Sequence, residues 1–213
     1  EYFKRWYLRY YYQRKIYTDN LFSRIEKQVE KKGKMLDVGC GAGILLEVAK
    51  EHGWDVCGQD ISKFAVDYCS KKGFCVYEGN LPELHLPAEH FDLITFFDVI
   101  AHLKDPLSYI NTCTKLLKPG GYLIIKTPYH STFLFFLANI LSFTGKSRSL
   151  LHIPAQIFHF NRSSLKTVHF FQYDIITIKV LPEYKIFCFS MQSIIKTIFR
   201  EKTIVVVLKK NSK

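Results

Sequence analysis

The chain has 213 residues with 30 Lys and Arg against 19 Asp and Glu, a formal net charge of +11, and 48% hydrophobic and 23% charged residues. That length suits one domain with an appendage, and the apolar content excludes an intrinsically disordered or low-complexity chain for most of its length. The charge is uneven: residues 1–34 carry +6, residues 35–130 carry −4, and residues 131–213 carry +9. Charge alone would admit nucleic acid, an acidic membrane surface or an anionic substrate as partner.

Taken in chain order, the first segment, Tyr2–Lys32, reads as a helix rich in aromatics, with Tyr10 or Tyr11 a candidate to reach a ligand below it. Lys34–Val38 is a short apolar strand, and Ala42–His52 has helical spacing of Ile44, Leu45, Val48 and Ala49. A second strand begins at Asp55–Gly58 and is ended by Asp60; Ser62 can cap a helix running to about Lys72. Phe74–Tyr77 is a third strand, and Phe91–Phe97, nearly all apolar, a fourth, as for a strand buried on both faces. Pro106 opens a helix through Leu117, Pro119-Gly120-Gly121 stops it, and Tyr122–Thr127 is a fifth strand. Beyond lie a helix near Ser163–Phe171, a strand Asp174–Val180, a helix near Met191–Arg200 and a strand Thr203–Leu208. Strands alternating with helices predict an α/β fold with a parallel sheet covered on both faces.

Six cysteines, Cys40, Cys57, Cys69, Cys75, Cys113 and Cys188, form no C-x-x-C pair and no zinc spacing. They read as buried thiols in a reducing compartment, and no metal is expected. The start carries no secretory signal, so the expected location is cytoplasmic. The longest apolar run, Phe133–Phe143, is too short to span a bilayer. It suits a lid helix, or, with Lys146 and Arg148 behind it, a helix in peripheral contact with a membrane.

The sharpest signal is Met35-Leu36-Asp37-Val38-Gly39-Cys40-Gly41-Ala42-Gly43, an apolar strand entering alternate glycines before a helix. Such a loop lets a ligand approach the backbone and the free N–H groups of the helix. A dinucleotide fingerprint would want glycine at position 44, where Ile44 stands. Asp37 places a carboxylate beside the loop, which disfavours a pyrophosphate and favours a ligand carrying an ammonium group. Asp60, 17 residues beyond Gly43, can accept hydrogen bonds from both hydroxyls of a ribose.

With LDVGCGAG at 36–43, GQDIS at 58–62, EGNL at 78–81, FDLITFFDVIAHLKDP at 91–106 and LLKPGGYLIIKTP at 116–128 in order, the chain resembles the class I S-adenosylmethionine-dependent methyltransferases. The resemblance implies a Rossmann-like three-layer sandwich whose seven-stranded, mostly parallel sheet has order 3-2-1-4-5-7-6, strand 7 antiparallel. It implies S-adenosyl-L-methionine as cofactor, with Gly39, Cys40, Gly41 and Gly43 under its methionine part and Asp37 near the methionine ammonium. Asp60 would take the ribose hydroxyls, Ile61 the adenine face, Asn80 and Leu81 the adenine edge, and Phe97 would offer a backbone carbonyl to the ammonium. It divides the chain into an N-terminal helical cap, 1–32, and a methyltransferase domain, 33–213, with a lid or acceptor insertion at about 129–162.

The segment Asp98-Val99-Ile100-Ala101-His102-Leu103 looks like the D-V-L-E-H-L segment of small-molecule O-methyltransferases, and His102 is the candidate general base. Quinone-ring enzymes of that group have E-x-x-E-H; here Asp98 and Ala101 replace the acids, which puts carboxylate or metal assistance in doubt. A [DNS]-P-P-[YF] motif is absent after the fourth strand, and no Pro-Cys pair is present, which weakens amino- and cytosine-methylating readings. The stretch from Thr127 through Pro154–Phe160 and Ser163-Ser164-Leu165 loosely resembles an insertion of bacterial methyltransferases near glycan or lipid biosynthesis, with Gln156 where a histidine is usual and His159 and Phe160 nearby; His130, His152 and His159 are candidates to line an acceptor pocket. The expected function is methylation of a small-molecule hydroxyl, on a metabolite, quinone-like lipid precursor or glycan intermediate. The basic flanks suit an acceptor that is anionic or membrane-associated. An RNA methyltransferase and a non-catalytic S-adenosylmethionine-binding module are the alternatives; dispersed basic residues disfavour nucleic acid, whose binding would weaken steeply with salt.

Overall fold

The computed structural model describes residues 10–129, 173–182 and 202–211. In chain order these form α1 (Tyr11–Ile25), β1 (Lys34–Val38), α2 (Ile44–Glu51), β2 (Asp55–Asp60), α3 (Lys63–Lys71), β3 (Cys75–Glu78), β4 (Phe91–Phe97), α4 (Pro106–Leu116), β5 (Leu117–Tyr129), β6 (Tyr173–Pro182) and β7 (Lys202–Lys210). Short 3₁₀ turns lie at Glu26–Gln28, Leu81–Glu83 and Ile100–His102.

One sheet gathers all seven strands in the order β3-β2-β1-β4-β5-β7-β6. β1, β2, β3, β4 and β5 pair in parallel, while β7 runs antiparallel to both β5 and β6. The order expected from the resemblance is therefore the order observed. Alternation of side chains along each strand sorts the core into two layers. Leu36, Val38, Phe96, Ile125 and Val206 join α4 residues such as Ile110 and Cys113 on one face. Met35, Leu93, Ile124, Val205 and Val207 join Phe22 of α1, Leu46 of α2 and Cys69 of α3 on the other.

Local chemistry explains most boundaries. Gly43 takes a left-handed φ of 73°, so α2 starts just beyond it rather than at Ala42. The Ser62 hydroxyl accepts from the Ala65 N–H at 3.5 Å and caps α3 as expected. The Asp105 carboxylate caps α4 through the Ser108 N–H at 3.1 Å, with Pro106 in the first turn. β3 begins one residue later than its apolar run because the Phe74 N–H closes the end of α3 on the Cys69 carbonyl. β5 begins earlier, at Leu117: Pro119-Gly120-Gly121 forms an irregularity within the strand, where Gly120 has φ 73° and the register with β4 slips between Phe91 and Leu93.

α1 ends at Ile25 and gives way to a 3₁₀ turn, well short of Lys32. Its Leu21, Phe22 and Ile25 are buried in the sheet-face core. Polar contacts add to this docking: the Tyr11 hydroxyl donates to Glu47, and the His52 ring lies 2.8 Å from both Asp19 and Glu26. The Trp54 indole also donates to Glu26, at 3.3 Å. Among the described residues, no helix is long and apolar enough to cross a membrane. The expected helices near Ser163–Phe171 and Met191–Arg200, the run Phe133–Phe143, Cys188, and His130, His152 and His159 lie outside the described residues.

Candidate cofactor and acceptor site

The parallel strands β1, β2, β3 and β4 all end at the same edge of the sheet, and every described candidate residue lies in or after one of those ends. In an open α/β sheet this edge is where ligands bind, at the point where the chain direction of the strand order reverses; here that is between β1 and β4. Gly39, Gly41 and Gly43 follow β1 with φ of 69°, 53° and 73°, a left-handed run that side-chain-bearing residues avoid. A Cβ on Gly39 would come within 2.5 Å of Val99, and one on Gly43 within 2.8 Å of the Cys69 sulfur.

Backbone and side-chain bonds lock this loop against β2. The Gly39 and Cys40 N–H groups donate to the Gln59 carbonyl at 2.7 and 3.0 Å. Asp60 accepts from the Gly41 N–H at 2.9 Å on one oxygen and from the Ser62 N–H at 2.8 Å on the other. Asp60 thus has a structural role in tying the loop to α3. Each of its oxygens keeps a second lone pair for a ligand hydroxyl. Gln59, buried, sends its amide to the Gly79 carbonyl and so ties the glycine loop to the turn after β3.

Asp37 is 3% exposed, beside the loop on β1. Thr95, its register neighbour on β4, donates its hydroxyl to the Asp37 carboxylate at 2.8 Å. Burial pushes the Asp37 carboxyl up to about 7, with the Asp60 charge adding to the rise and the Thr95 hydrogen bond opposing it. The Cys40 thiol, hydrogen-bonded with Cys69 and buried, is also held up, which makes it inert at neutral pH.

The remaining candidates differ in what they present. Ile61 is 73% exposed, a large apolar side chain in water directly beyond Asp60. Asn80 accepts from the Tyr109 hydroxyl and donates to Glu83 at 2.6 Å. The Leu81 side chain is fully buried in the α4-side core, so only its backbone is left to meet a ligand edge. Phe97 closes β4 opposite Lys126, and the chain turns at Asp98, which has φ 61°. His102 is exposed in the 3₁₀ turn that follows, its N–H bonded to the Val99 carbonyl at 2.8 Å. Ala101, in place of an acid, is buried, and Asp98 pairs with the buried Lys126.

Thr95, Gln59 and Lys126, which the motif reading passed over, contact the candidate residues or the turns that carry them. Thr95 is the one polar residue within Leu93–Phe97 and Lys126 the one charge within Tyr122–Thr127, whereas Gln59, between Gly58 and Asp60, carries no such signal. Among the described residues no group of three or more His, Cys, Asp or Glu could hold a metal.

These residues fit the cofactor that the resemblance implies. A buried carboxyl group oriented by the Thr95 hydroxyl suits an ammonium group. The glycine cradle leaves room that a Cβ would fill, and the exposed Ile61 offers an apolar face for a base.

Comparison with known proteins agrees. Residues 7–175 match the family model described as a methyltransferase domain. The ubiquinone biosynthesis O-methyltransferase of Coxiella burnetii (strain RSA 493) is 37% identical over 110 residues, 48% of this chain and 47% of that protein. Its counterpart in Methylococcus capsulatus is 35% identical over 129 residues, 57% of this chain and 52% of that protein. The chain thus spans about half the length of the curated relatives it matches. Among solved structures, a SAM-dependent methyltransferase from Archaeoglobus fulgidus superposes with a TM-score of 0.65 at 20% identity, over 92% of this chain and 94% of that one. An S-adenosylmethionine-dependent methyltransferase from Mesorhizobium loti gives 0.62 at 19% identity, over 89% and 97%; at these identities the likeness is one of fold. With a family model covering most of the chain and a glycine loop, acid and sheet order that agree with it, the chain belongs to the class I S-adenosyl-L-methionine-dependent methyltransferase-domain family.

Proposed function

We propose that this domain transfers a methyl group from S-adenosyl-L-methionine to a hydroxyl of a small-molecule acceptor: a metabolite, a quinone-like lipid precursor or a glycan intermediate. The observation that carries the reading is the identity of 35–37% to ubiquinone biosynthesis O-methyltransferases over 110–129 residues. The bound cofactor supplies an electrophilic methyl on a sulfonium; the chain's part is to hold, orient and deprotonate. Asp37 holds the ammonium end, Asp60 the ribose, and Ile61 packs on the base, with Asn80 and the Leu81 backbone at its edge. The Gly39–Gly43 loop and the Phe97 carbonyl line the methionine part.

His102 is the general base in this reading. It is exposed on the turn after β4, at the edge where the parallel strands end. An imidazole ring nitrogen can accept the hydroxyl proton as the oxygen attacks. In-line geometry supplies much of the remaining acceleration. The excess of basic residues in 131–213 suits an acceptor that is anionic or held at a membrane surface.

Isothermal titration with S-adenosyl-L-methionine tests the cofactor half. The wild type binds, and Asp60→Ala weakens binding by about a hundredfold, as loss of charge-assisted hydrogen bonds does. Unchanged affinity in Asp60→Ala sinks the site assignment. For the acceptor half, a metabolite extract is incubated with methyl-labelled cofactor and the products identified by mass spectrometry. Label on a small-molecule oxygen supports the proposal; label on RNA alone overturns it.

A further inference from the structure

On β5, with β4 between it and the strand that feeds the glycine loop, lies a buried cation that the reading above leaves unused. Lys126, on β5, is 4% exposed. An ammonium is rarely buried in the middle of a sheet, because removing it from water is costly unless it is paired and hydrogen-bonded. Here its partner is the Asp98 carboxylate, on a side chain that is 45% exposed. The pair bridges the buried layer and the ligand-binding edge. The Asp98 N–H also donates to the Lys126 carbonyl at 2.8 Å, so main chain and side chain of one residue hold main chain and side chain of the other. The Lys126 ammonium lies 5.6 Å from the centre of the Tyr17 ring of α1.

What Asp98 does in return is set by its backbone. Its φ of 61° is a left-handed turn that an aspartate tolerates but does not prefer, and the double anchorage on Lys126 supports it. The turn directs the next residue, Val99, onto the glycine loop, so closely that no Cβ fits at Gly39. The Val99 carbonyl then receives the His102 N–H. One ammonium is thus connected, through Asp98 and Val99, to both the loop that cradles the cofactor and the turn that carries His102.

We propose that Lys126 is a positioning residue for the cofactor site: by holding Asp98 it seats Val99 on Gly39 and keeps the glycine loop in its binding shape. It touches neither ligand, and acts through Asp98. The proposal rests on the assignment of the glycine loop to S-adenosyl-L-methionine.

The test uses S-adenosylhomocysteine as probe, with calorimetric Kd and melting temperature measured on the full chain for Lys126→Met, Lys126→Arg and the charge-free pair Lys126→Met with Asp98→Asn. Lys126→Met raises the Kd about tenfold, the range for residues coupled to a site without touching its ligand. The charge-free pair leaves no buried ion unpaired, so it melts close to the wild type, yet its Kd stays raised; Lys126→Arg, which keeps the ion pair, restores the wild-type value. A charge-free pair that is folded and binds like the wild type overturns the proposal, also where Lys126→Met alone fails to fold. A Lys126→Arg variant that melts like the wild type but binds as weakly as Lys126→Met overturns it too. A folded wild type that does not bind S-adenosylhomocysteine overturns the glycine-loop assignment itself, and the proposal with it.

Discussion

Replacing Asp37 by asparagine probes the cofactor site through its most perturbed carboxyl. That group ionises near 3.8 in the unfolded chain and at about 7 in the folded one, because burial penalises the charged form. The gap corresponds to roughly 4 kcal/mol. The folded state holds the proton that the unfolded chain has already released, so stability falls as pH rises from about 4 to about 7. An asparagine side chain at this position would carry no such penalty. Asp37→Asn is therefore expected to raise the melting temperature at about pH 8 and to change it little at about pH 4. Ligand binding runs the other way. A cofactor ammonium favours the ionised carboxylate, and only about one tenth of Asp37 is ionised one pH unit below 7. The Kd for S-adenosyl-L-methionine should thus weaken about tenfold between about pH 8 and about pH 6 in the wild type. In Asp37→Asn it should be weak and flat over that range. Calorimetry across buffers of different pH measures both. A wild-type Kd independent of pH, or an Asp37→Asn variant that binds like the wild type, would refute the reasoning.

Other expectations follow from single contacts. Gly39→Ala puts a Cβ at a left-handed φ and 2.5 Å from Val99, and should cost about 2 kcal/mol of stability together with cofactor affinity; thermal melting that matches the wild type would contradict it. Ile61→Ser removes an exposed apolar side chain and should leave melting unchanged while weakening cofactor binding about tenfold, as calorimetry will read. At His52, burial opposes the charge, but hydrogen bonds to Asp19 and Glu26 outweigh it and raise the pKa above its ordinary value. The stabilisation is therefore full below the ordinary histidine range and lost as pH rises through the raised value. His52→Gln should lower the melting temperature at about pH 5.5 by the equivalent of about 1 kcal/mol, and by less at about pH 8.5; a deficit that grows with pH would show that the ion contacts do not hold α1.

The strand–helix rhythm of this chain is written in local sequence. Apolar runs such as Phe91–Phe97, the cap at Ser62 and the proline of Pro106 act over a few residues, and each element they predict is present. The glycine loop and Asp60 were equally legible, since a left-handed turn and a strand-end acid are short-range needs. Boundaries that shifted, at β3 and β5, did so because a hydrogen bond or a bulge overrode the apolar pattern. The antiparallel placement of β7 between β5 and β6 came from family resemblance, not from periodicity.

Tertiary structure alone decided which polar groups meet. Thr95 reaches Asp37 from a strand far along the chain, His52 finds Asp19 and Glu26, and Lys126 finds Asp98. Leu81, which the resemblance sets at the adenine edge, has its side chain buried in the core beneath α4, a placement no local pattern foretells. The sequence by itself determined the elements and the chemistry of the loop, because those depend on neighbours a few residues away. Folding determined the charge of Asp37 and the partner of Lys126, because burial and pairing exist only once the strands lie side by side.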